Sequence, residues 1–324
     1  MYRKISAILI PTLIAVGIIA YMLYQVWSDL LNALTHMIPG YIAVAVGICL
    51  AAWWIRGSRY NTILKSLNYK VGVLVSTACI FVSQTANLIV PARLGDFVRV
   101  FILKHEYNTT YSEGISSVVV ERVFDVVTVA FLGAVALLFV FNVPTVYYWM
   151  IFLPLTVGVI FFAVLLCIGR CSTQNKYIKI VLTMLHEIRR ASLSVRSILV
   201  LGISSLFAWL LDISACLAVV LMFEQHIPFA VIVLAVVVGN LVKAVPLTPG
   251  GIGTYELSLA LIFSGLSGVT FAIAFLIAVT DHLIKNMVTL AGGIISVYFF
   301  GDWVIPSIKS ALNTKLGGGK ESDS

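Results

Sequence analysis

The strongest constraint on this chain is a succession of apolar runs long enough to cross a lipid bilayer. A transmembrane helix needs about 20 mostly apolar residues to cross a hydrocarbon core about 30 Å thick. Of the 324 residues, 60% are apolar and only 11% are charged, whereas soluble domains have about 25% charged residues. An ordinary core cannot bury that excess, so the composition excludes a soluble enzyme. It also excludes a nucleic-acid-binding protein, despite the net charge of +7.

Eight runs predict helices of spanning or near-spanning length, and a short helix follows the third and the seventh run. The runs are 5–27, 38–55, 71–90, 112–141, 146–169, 197–222, 228–245 and 269–299, and the short helices are 95–104 and 254–265. Between them, 170–196 alternates apolar and basic residues, which predicts an amphipathic helix on the cytoplasmic surface. Residues 1–300 therefore form one integral membrane domain, and 301–324 form a short cytoplasmic tail.

The distribution of Lys and Arg predicts the orientation, because these residues accumulate on the cytoplasmic side of a membrane. Sixteen of the 21 lie in the N-terminus, in 56–70, at Lys104, in 170–196 or in the tail. The segments 28–37, 142–145, 223–227 and 266–268 contain none. We therefore expect a multi-pass protein of the cell membrane with both termini in the cytoplasm.

This orientation makes two segments enter the membrane and return to the side they came from. Residues 71–104 begin and end in the cytoplasm, and residues 228–266 begin and end outside. The sequence thus predicts an all-α polytopic membrane protein with about six full spans and two re-entrant helical hairpins of opposite polarity.

The order of these segments indicates an inverted-topology repeat. The halves 1–141 and 145–299 each contain two spans, a hairpin and a further span, in opposite orientations. Pro91 and Pro249 are 158 residues apart, and Asp125 and Asp281 are 156 apart. Ordinary spans throughout, with a different helix count, are the alternative.

The first hairpin contains a break at 91–95, which we call the first break. Pro91 lacks a backbone N–H and ends the preceding helix, and Gly95 permits unusual backbone geometry. Irregular backbone at membrane depth survives only where protein or water covers it, so this break is expected to line a cavity. Arg93, Asp96 and Arg99 would share one helix face, where the arginines suit a phosphate. An internal ion pair among the three is the alternative.

The second hairpin contains a break at 246–253, the second break, which we expect to act as a hinge or gate. Its turn-forming residues are Pro246, Pro249, Gly250, Gly251 and Gly253. The free N–H groups of a helix beginning near Gly253 could bind an anion. Alternatively, Glu256 in the first turn caps those groups.

Charged residues also occur within the predicted spans, where each costs about 2.5–3.5 kcal/mol to insert. Two groups stand out, namely Glu121, Arg122 and Asp125, and Asp281, His282 and Lys285. Glu121 and Asp125, and likewise Asp281 and Lys285, are four residues apart and would share a helix face, while Arg122 and Asp125 are three apart. Lys243 and Asp212 are further intramembrane charges. A structural ion-pair network is the alternative to a translocation site.

Counting the charges expected in the membrane gives five cations and six anions. The cations are Arg93, Arg99, Arg122, Lys243 and Lys285, and the anions are Asp96, Glu121, Asp125, Asp212, Glu256 and Asp281. A nearly neutral set of this kind suits a polar or zwitterionic headgroup better than a simple ion pore, whose charges usually have one sign.

In three motifs the sequence resembles the membrane region of lysylphosphatidylglycerol synthase/flippase proteins. They are 91–99, the stretch 120–125, and 246–256 followed by Asp281. The resemblance implies a lipid-translocating module whose site would include Arg93, Asp96, Arg99, Glu121, Arg122, Asp125, Pro249, Gly250, Gly251, Gly253 and Glu256. It does not extend to the aminoacyl-transferase domain of those proteins, so lipid lysylation is not expected. His282 stands where an Arg is expected in many relatives.

The sequence thus favours a non-enzymatic lipid flippase or scramblase. Its substrate would be an aminoacyl-phospholipid or a polyprenyl-phosphate-linked sugar, and no cofactor or metal is predicted. The alternatives are a small-solute or ion-coupled transporter and a membrane subunit that accompanies a glycosyltransferase or other lipid-modifying enzyme. A membrane enzyme is disfavoured because no nucleophile–base pair or metal-ligand set is present.

Overall fold

A computed structural model describes residues 37–90, 93–168, 176–245 and 248–301, together with residues 17, 20 and 35. These residues form ten α-helices and no β-strand. In chain order the helices are α1 (Gly40–Ser66), α2 (Val73–Ile89), α3 (Gly95–Tyr107), α4 (Tyr111–Ala136), α5 (Thr145–Cys167), α6 (Lys176–Ser192), α7 (Val195–Met222), α8 (Phe229–Ala244), α9 (Thr254–Ser267) and α10 (Phe271–Phe300). The predicted span 5–27, apart from residues 17 and 20, lies outside the described residues, as do Pro91, Pro246 and the tail beyond Gly301.

The described residues confirm an all-helical membrane protein. By length and composition, four helices can cross a bilayer, namely α1, α5, α7 and α10. Helix α4 has 26 residues, which is also enough, but its sequence includes four charged side chains. Three of them, Glu121, Arg122 and Asp125, lie in the interior, and Glu113 lies in the first turn of the helix. The number of complete spans stays a prediction.

The predicted end of the second run, at residue 55, is wrong. Helix α1 continues without interruption from Gly40 to Ser66, and therefore includes Arg56 and Arg59. Both side chains form ion pairs with carboxylates of other helices. The helix can continue through its arginines because their charges are balanced by these partners.

Both predicted hairpins are pairs of short helices separated by a break. Helices α2 and α3 pack together around the first break, and α8 and α9 around the second. At 1.5 Å per residue these four helices are about 26, 20, 24 and 21 Å long, all shorter than a hydrocarbon core of about 30 Å. The helix–break–helix arrangement is as predicted, whereas its re-entry into the membrane stays a prediction.

Polarity is arranged as in a membrane protein, with charge inside and large apolar side chains outside. Helix α5 is almost entirely peripheral, with Trp149 69% and Leu153 61% exposed, whereas Arg59 and Arg99 are buried. Helix α6 forms in the predicted amphipathic segment and packs against α4. There Glu187 accepts hydrogen bonds from the Ser112 and Ser116 hydroxyls at 2.7 and 3.0 Å.

Candidate functional site

The described parts of the two breaks, 93–95 and 248–253, approach each other inside the helix bundle. Arg93 Nη2 donates to the Lys243 carbonyl oxygen at 3.4 Å, which joins the first break to the end of α8. The Cα of Leu88 is 3.5 Å from the position that a Cβ on Gly250 would occupy. Arg93 has a φ of 52°, and such left-handed backbone is uncommon for a residue other than glycine. Strained backbone of this kind is often found at functional sites.

Glycine is required in the second break by its backbone geometry. Gly250, Gly251 and Gly253 have φ values of 62°, 77° and 85°, which side chains with a Cβ rarely adopt. A Cβ on Gly251 would lie only 2.6 Å from Lys243 Cγ. The break therefore determines where the Lys243 side chain can lie.

A cavity of about 190 Å³ lies where the breaks meet. Its charged lining consists of Arg56, Arg93, Arg122, Lys243 and Lys285, with Glu121, Asp125 and Asp212. The polar side chains of Gln84, Asn87, Asn240, Tyr255, His282 and Asn286 also line it.

On one side of the cavity, α4 brings carboxylates to the arginines of α1 and α3. Glu121 pairs with Arg59 at 3.2 Å and also with Arg99. Asp125 accepts from Arg59 Nη1 at 2.6 Å and from Trp209 Nε1 at 3.1 Å. Glu121 thus lies between two guanidinium groups that have no access to solvent.

The carboxylate of Asp96 pairs mainly with α4 rather than with its own helix. It accepts two hydrogen bonds from Arg122, at 3.1 and 2.7 Å, and lies 3.8 Å from the Arg99 guanidinium. Arg93 is not within ion-pair distance of Asp96. The expected ion pair among residues 93, 96 and 99 therefore forms only in part, which leaves Arg93 available to the cavity.

On the other side of the cavity, Lys285 connects α7 and α10. Its ammonium lies 2.9 Å from Asp281 and 3.1 Å from Asp212. Asp212 also accepts from Arg56 at 3.2 Å, and Asp281 accepts from the Tyr255 hydroxyl at 2.8 Å. The predicted Asp281–Lys285 pair thus belongs to a network that extends to α1.

A hydrogen-bonded chain connects the second break to the cavity. One oxygen of Glu256 accepts from the Gly253 backbone N–H at 2.8 Å, so Glu256 caps α9. Its other oxygen is 2.7 Å from His282 Nδ1, and His282 Nε2 is 3.0 Å from Lys243 Nζ. The alternative in which Glu256 caps the helix is therefore the arrangement observed.

The full set of interior charges has seven cations against six carboxylates, because Arg56 and Arg59 join the five cations counted from the sequence, and the set stays nearly balanced. The cations are Arg56, Arg59, Arg93, Arg99, Arg122, Lys243 and Lys285, against the six carboxylates expected. Each carboxylate lies within 4.0 Å of Arg, Lys or His. Among the described residues, Arg93 and Lys243 are the two cavity cations without a carboxylate at that distance.

The predicted site residues divide into those that line the cavity and those that lie behind it. Arg93, Glu121, Arg122, Asp125, Lys243 and Lys285 line it, whereas Asp96, Arg99, Glu256 and Asp281 support the lining from behind. Arg99 packs over the Tyr60 ring at 4.8 Å and is not exposed to the cavity. Arg56, Arg59, Trp209 and Tyr255 were not predicted. Apolar residues after Arg59, such as Ile63 and Leu64, could have indicated that the helix continues.

Comparisons with known proteins identify relatives among archaeal membrane proteins. The chain is 31% identical over 339 residues to the glycosyltransferase AglD of Haloferax volcanii, a match covering 90% of this chain and 54% of that protein. The chain thus spans about half the length of that relative. UPF0104 membrane proteins also match, one of Methanocaldococcus jannaschii (27% identity; 65% of this chain, 92% of that protein) and one of Pyrococcus horikoshii (24%; 87% and 95%).

No solved structure matches the chain significantly. The family model described as the lysylphosphatidylglycerol synthase TM region matches residues 8–293. This match covers most of the chain and confirms the resemblance seen in the three motifs. The chain is therefore a member of the lysylphosphatidylglycerol synthase transmembrane-region family.

Proposed function

We propose that this protein moves a lipid with a phosphate-bearing headgroup between the two leaflets of the cell membrane. One observation underlies the proposal: Arg93 and Lys243, the two cavity cations without a carboxylate partner in the described chain, meet where the two breaks face each other. A phosphate would supply the missing negative charge. Arg would bind it through a planar fork and Lys as a point charge.

The other charged side chains of the cavity would let a polar headgroup cross the membrane inside the protein, away from the hydrocarbon. Paired carboxylates and cations present hydrogen-bonding groups in place of water, while the acyl or prenyl chains stay among the apolar outer surfaces. The proline and glycine residues of the breaks would allow the lining to rearrange. The sequence has no phosphate-binding P-loop, so we do not propose that ATP drives the movement.

The substrate class we propose is an aminoacyl-phospholipid or a polyprenyl-phosphate-linked sugar. The family description names a synthase of lysylphosphatidylglycerol, and the Haloferax relative is named a glycosyltransferase. Both compounds would combine a phosphate with a polar group that is costly to bring into hydrocarbon. We propose that the chain performs the movement and no chemical step.

We also propose the topology predicted from the sequence, with six spans, two re-entrant hairpins in an inverted repeat, and both termini in the cytoplasm. The first hairpin is supported by a contact between its two ends. Tyr69, just before α2, donates to Glu113 at the start of α4 at 2.5 Å. The chain therefore returns after α2 and α3 to the end of the bundle where it began.

Headgroup-labelled lipid translocation in proteoliposomes tests this function. Wild type is compared with Arg93→Ala and with Arg196→Ala, an exposed arginine on α7 that serves as the matched control. We expect wild type and Arg196→Ala to translocate a lysyl-phospholipid or a polyprenyl-phosphate sugar, and Arg93→Ala to lose at least about tenfold in rate. That loss corresponds to about 1.4 kcal/mol.

If well-folded wild type translocates none of these lipids, the flippase proposal is wrong. Uptake of soluble anions by the same proteoliposomes would then test the solute-transporter alternative. One further observation favours a partner-subunit role, because the chain matches about half of a relative named a glycosyltransferase. Co-purification with a glycosyltransferase, without lipid translocation by the isolated chain, would support that role instead.

A further inference from the structure

His282 lies between an acid and a base, and the hydrogen bonds determine its protonation. A carboxylate accepts only, so the 2.7 Å contact with Glu256 requires a proton on Nδ1. An ammonium donates only, so the 3.0 Å contact with Lys243 requires Nε2 to be an acceptor. The imidazole is therefore neutral, and the one positive charge of the His282–Lys243 pair is on Lys243.

Other groups around His282 are already engaged. The Tyr255 ring of α9 packs on it with ring centroids 4.6 Å apart, and the Tyr255 hydroxyl donates to Asp281. On α10 itself, Asp281 and Lys285 pair with each other, and Lys285 also pairs with Asp212 of α7. Helix α2 has no charged side chain, and Arg56 of α1 pairs with Asp212. Only Lys243 is left to respond to a ligand.

An anion between Arg93 and Lys243 would affect one hydrogen bond of the Glu256–His282–Lys243 series, the bond between Lys243 and His282. The anion would draw the Lys243 ammonium toward itself, and a movement that breaks the 3.0 Å contact leaves His282 Nε2 without its donor. A buried acceptor that loses its donor costs about 1–3 kcal/mol. A proton taken from solution onto Nε2 removes that cost, because the resulting imidazolium can donate to the bound anion or to water and pairs with Glu256.

We propose that binding of a phosphate-bearing headgroup between Arg93 and Lys243 is accompanied by uptake of one proton on His282. An N–H bond forms at Nε2 and no bond in the ligand breaks. The proton leaves when the anion departs and Lys243 returns to His282. This inference rests on the proposed function and adds to it a coupling of headgroup movement to proton movement in the same direction.

Linkage makes the coupling reciprocal: if anion binding takes up a proton, a lower pH must tighten anion binding. Calorimetric titration of the purified full chain at a pH of about 8, in two buffers of different ionisation enthalpy, measures the uptake directly. The probes are geranyl phosphate and inorganic phosphate. The second pKa of a phosphate monoester is about 6, so at this pH geranyl phosphate is already a dianion and the protons counted with it belong to the protein.

The test variant is His282→Gln, and the control is His226→Gln at an exposed histidine before α8. A glutamine amide can still donate to Glu256 and accept from Lys243, but cannot take up the proton. We expect uptake close to one proton per bound geranyl phosphate in wild type and His226→Gln. In His282→Gln we expect binding to persist with uptake near zero.

Wild-type binding with no buffer dependence, or equal uptake in His282→Gln, overturns the coupling. If wild type also translocates lipid, the proposed function survives that result. Failure of both probes to bind rejects the anion site and the inference with it. Equal affinity for geranyl and inorganic phosphate would contradict a lipid source for the anion and favour a soluble one.

Discussion

At the scale of single residues, Glu121 is the carboxylate on which the interior depends most. It pairs with Arg59 and Arg99, whose side chains are 0% exposed. A guanidinium that is buried without a partner has lost its hydration and gained nothing in exchange. Arg99 has a further carboxylate only at 3.8 Å, on Asp96, so Glu121 provides most of its compensation.

We therefore expect Glu121→Ala to destabilise the protein by about 3–5 kcal/mol, the cost of breaking a buried ion pair. Glu121→Gln keeps one acceptor oxygen and should cost less. Thermal unfolding in detergent measures both. The control is Glu106→Ala, whose exposed carboxylate pairs with His105 at the surface, where such pairs contribute about 0–1 kcal/mol. Equal midpoints for Glu121→Ala and Glu106→Ala would contradict the argument.

Sequence reasoning found the carboxylates of this network more readily than its cations. Glu121 and Asp125 are conspicuous because they interrupt a long apolar run. Arg56 and Arg59 lie where a run ends, and an arginine at that place normally marks the membrane surface. Only the packing of α4 against α1 shows that these arginines turn inward to neutralise the carboxylates. That contact joins residues more than 60 positions apart and leaves no local signal.

At the scale of elements, the first hairpin depends on the close approach of α3 to α2. A Cβ on Gly95 would overlap the Ser83 carbonyl oxygen and lie 2.6 Å from the Asn87 backbone nitrogen. Both contacts are with backbone, which cannot turn aside. Because Arg93 precedes and Asp96 follows this residue, separating the helices would also move the cavity lining.

We expect Gly95→Ala to cost about 1–3 kcal/mol through overpacking and to reduce lipid translocation. Gly47→Ala in α1 is the matched control, because nothing lies within 4 Å of its added Cβ. Unfolding midpoints and translocation rates of the two variants give the comparison. A Gly95→Ala protein as stable and active as Gly47→Ala would show that the two helices need not be this close.

The sequence located the breaks well because proline and glycine act locally on the backbone. The predicted short helices begin at 95 and 254, as α3 and α9 do. The ends of the helices were less accurate, since α3 and α9 continue to Tyr107 and Ser267. That the two breaks meet could not be predicted, because it depends on how the halves pack and not on either segment alone.

At the scale of the whole molecule, the two ends of the bundle differ in charge. Glu113 contacts Tyr69, and Ser112 contacts Glu187 of α6, so Lys65 and Lys70 near the end of α1 and the basic helix α6 lie near one end. Ile38 donates its backbone N–H to Met222 at 2.9 Å, which brings together two segments without Lys or Arg. This asymmetry supports one orientation, with the basic end in the cytoplasm.

Cysteine labelling of intact cells tests that orientation and the first hairpin together. In a background without Cys167 and Cys171, we expect His226→Cys to react with a membrane-impermeant maleimide before permeabilisation. Lys70→Cys and Glu106→Cys should react only afterwards, because the residues before α2 and in the last turn of α3 lie on the cytoplasmic side if the two helices turn back together. If Glu106→Cys is labelled from outside and Lys70→Cys is protected, α2 and α3 together cross the membrane. The first hairpin is then not re-entrant, and the proposed inverted repeat is wrong. Labelling of Lys70→Cys and Glu106→Cys from outside, with His226→Cys protected, would keep the hairpin and reverse the orientation.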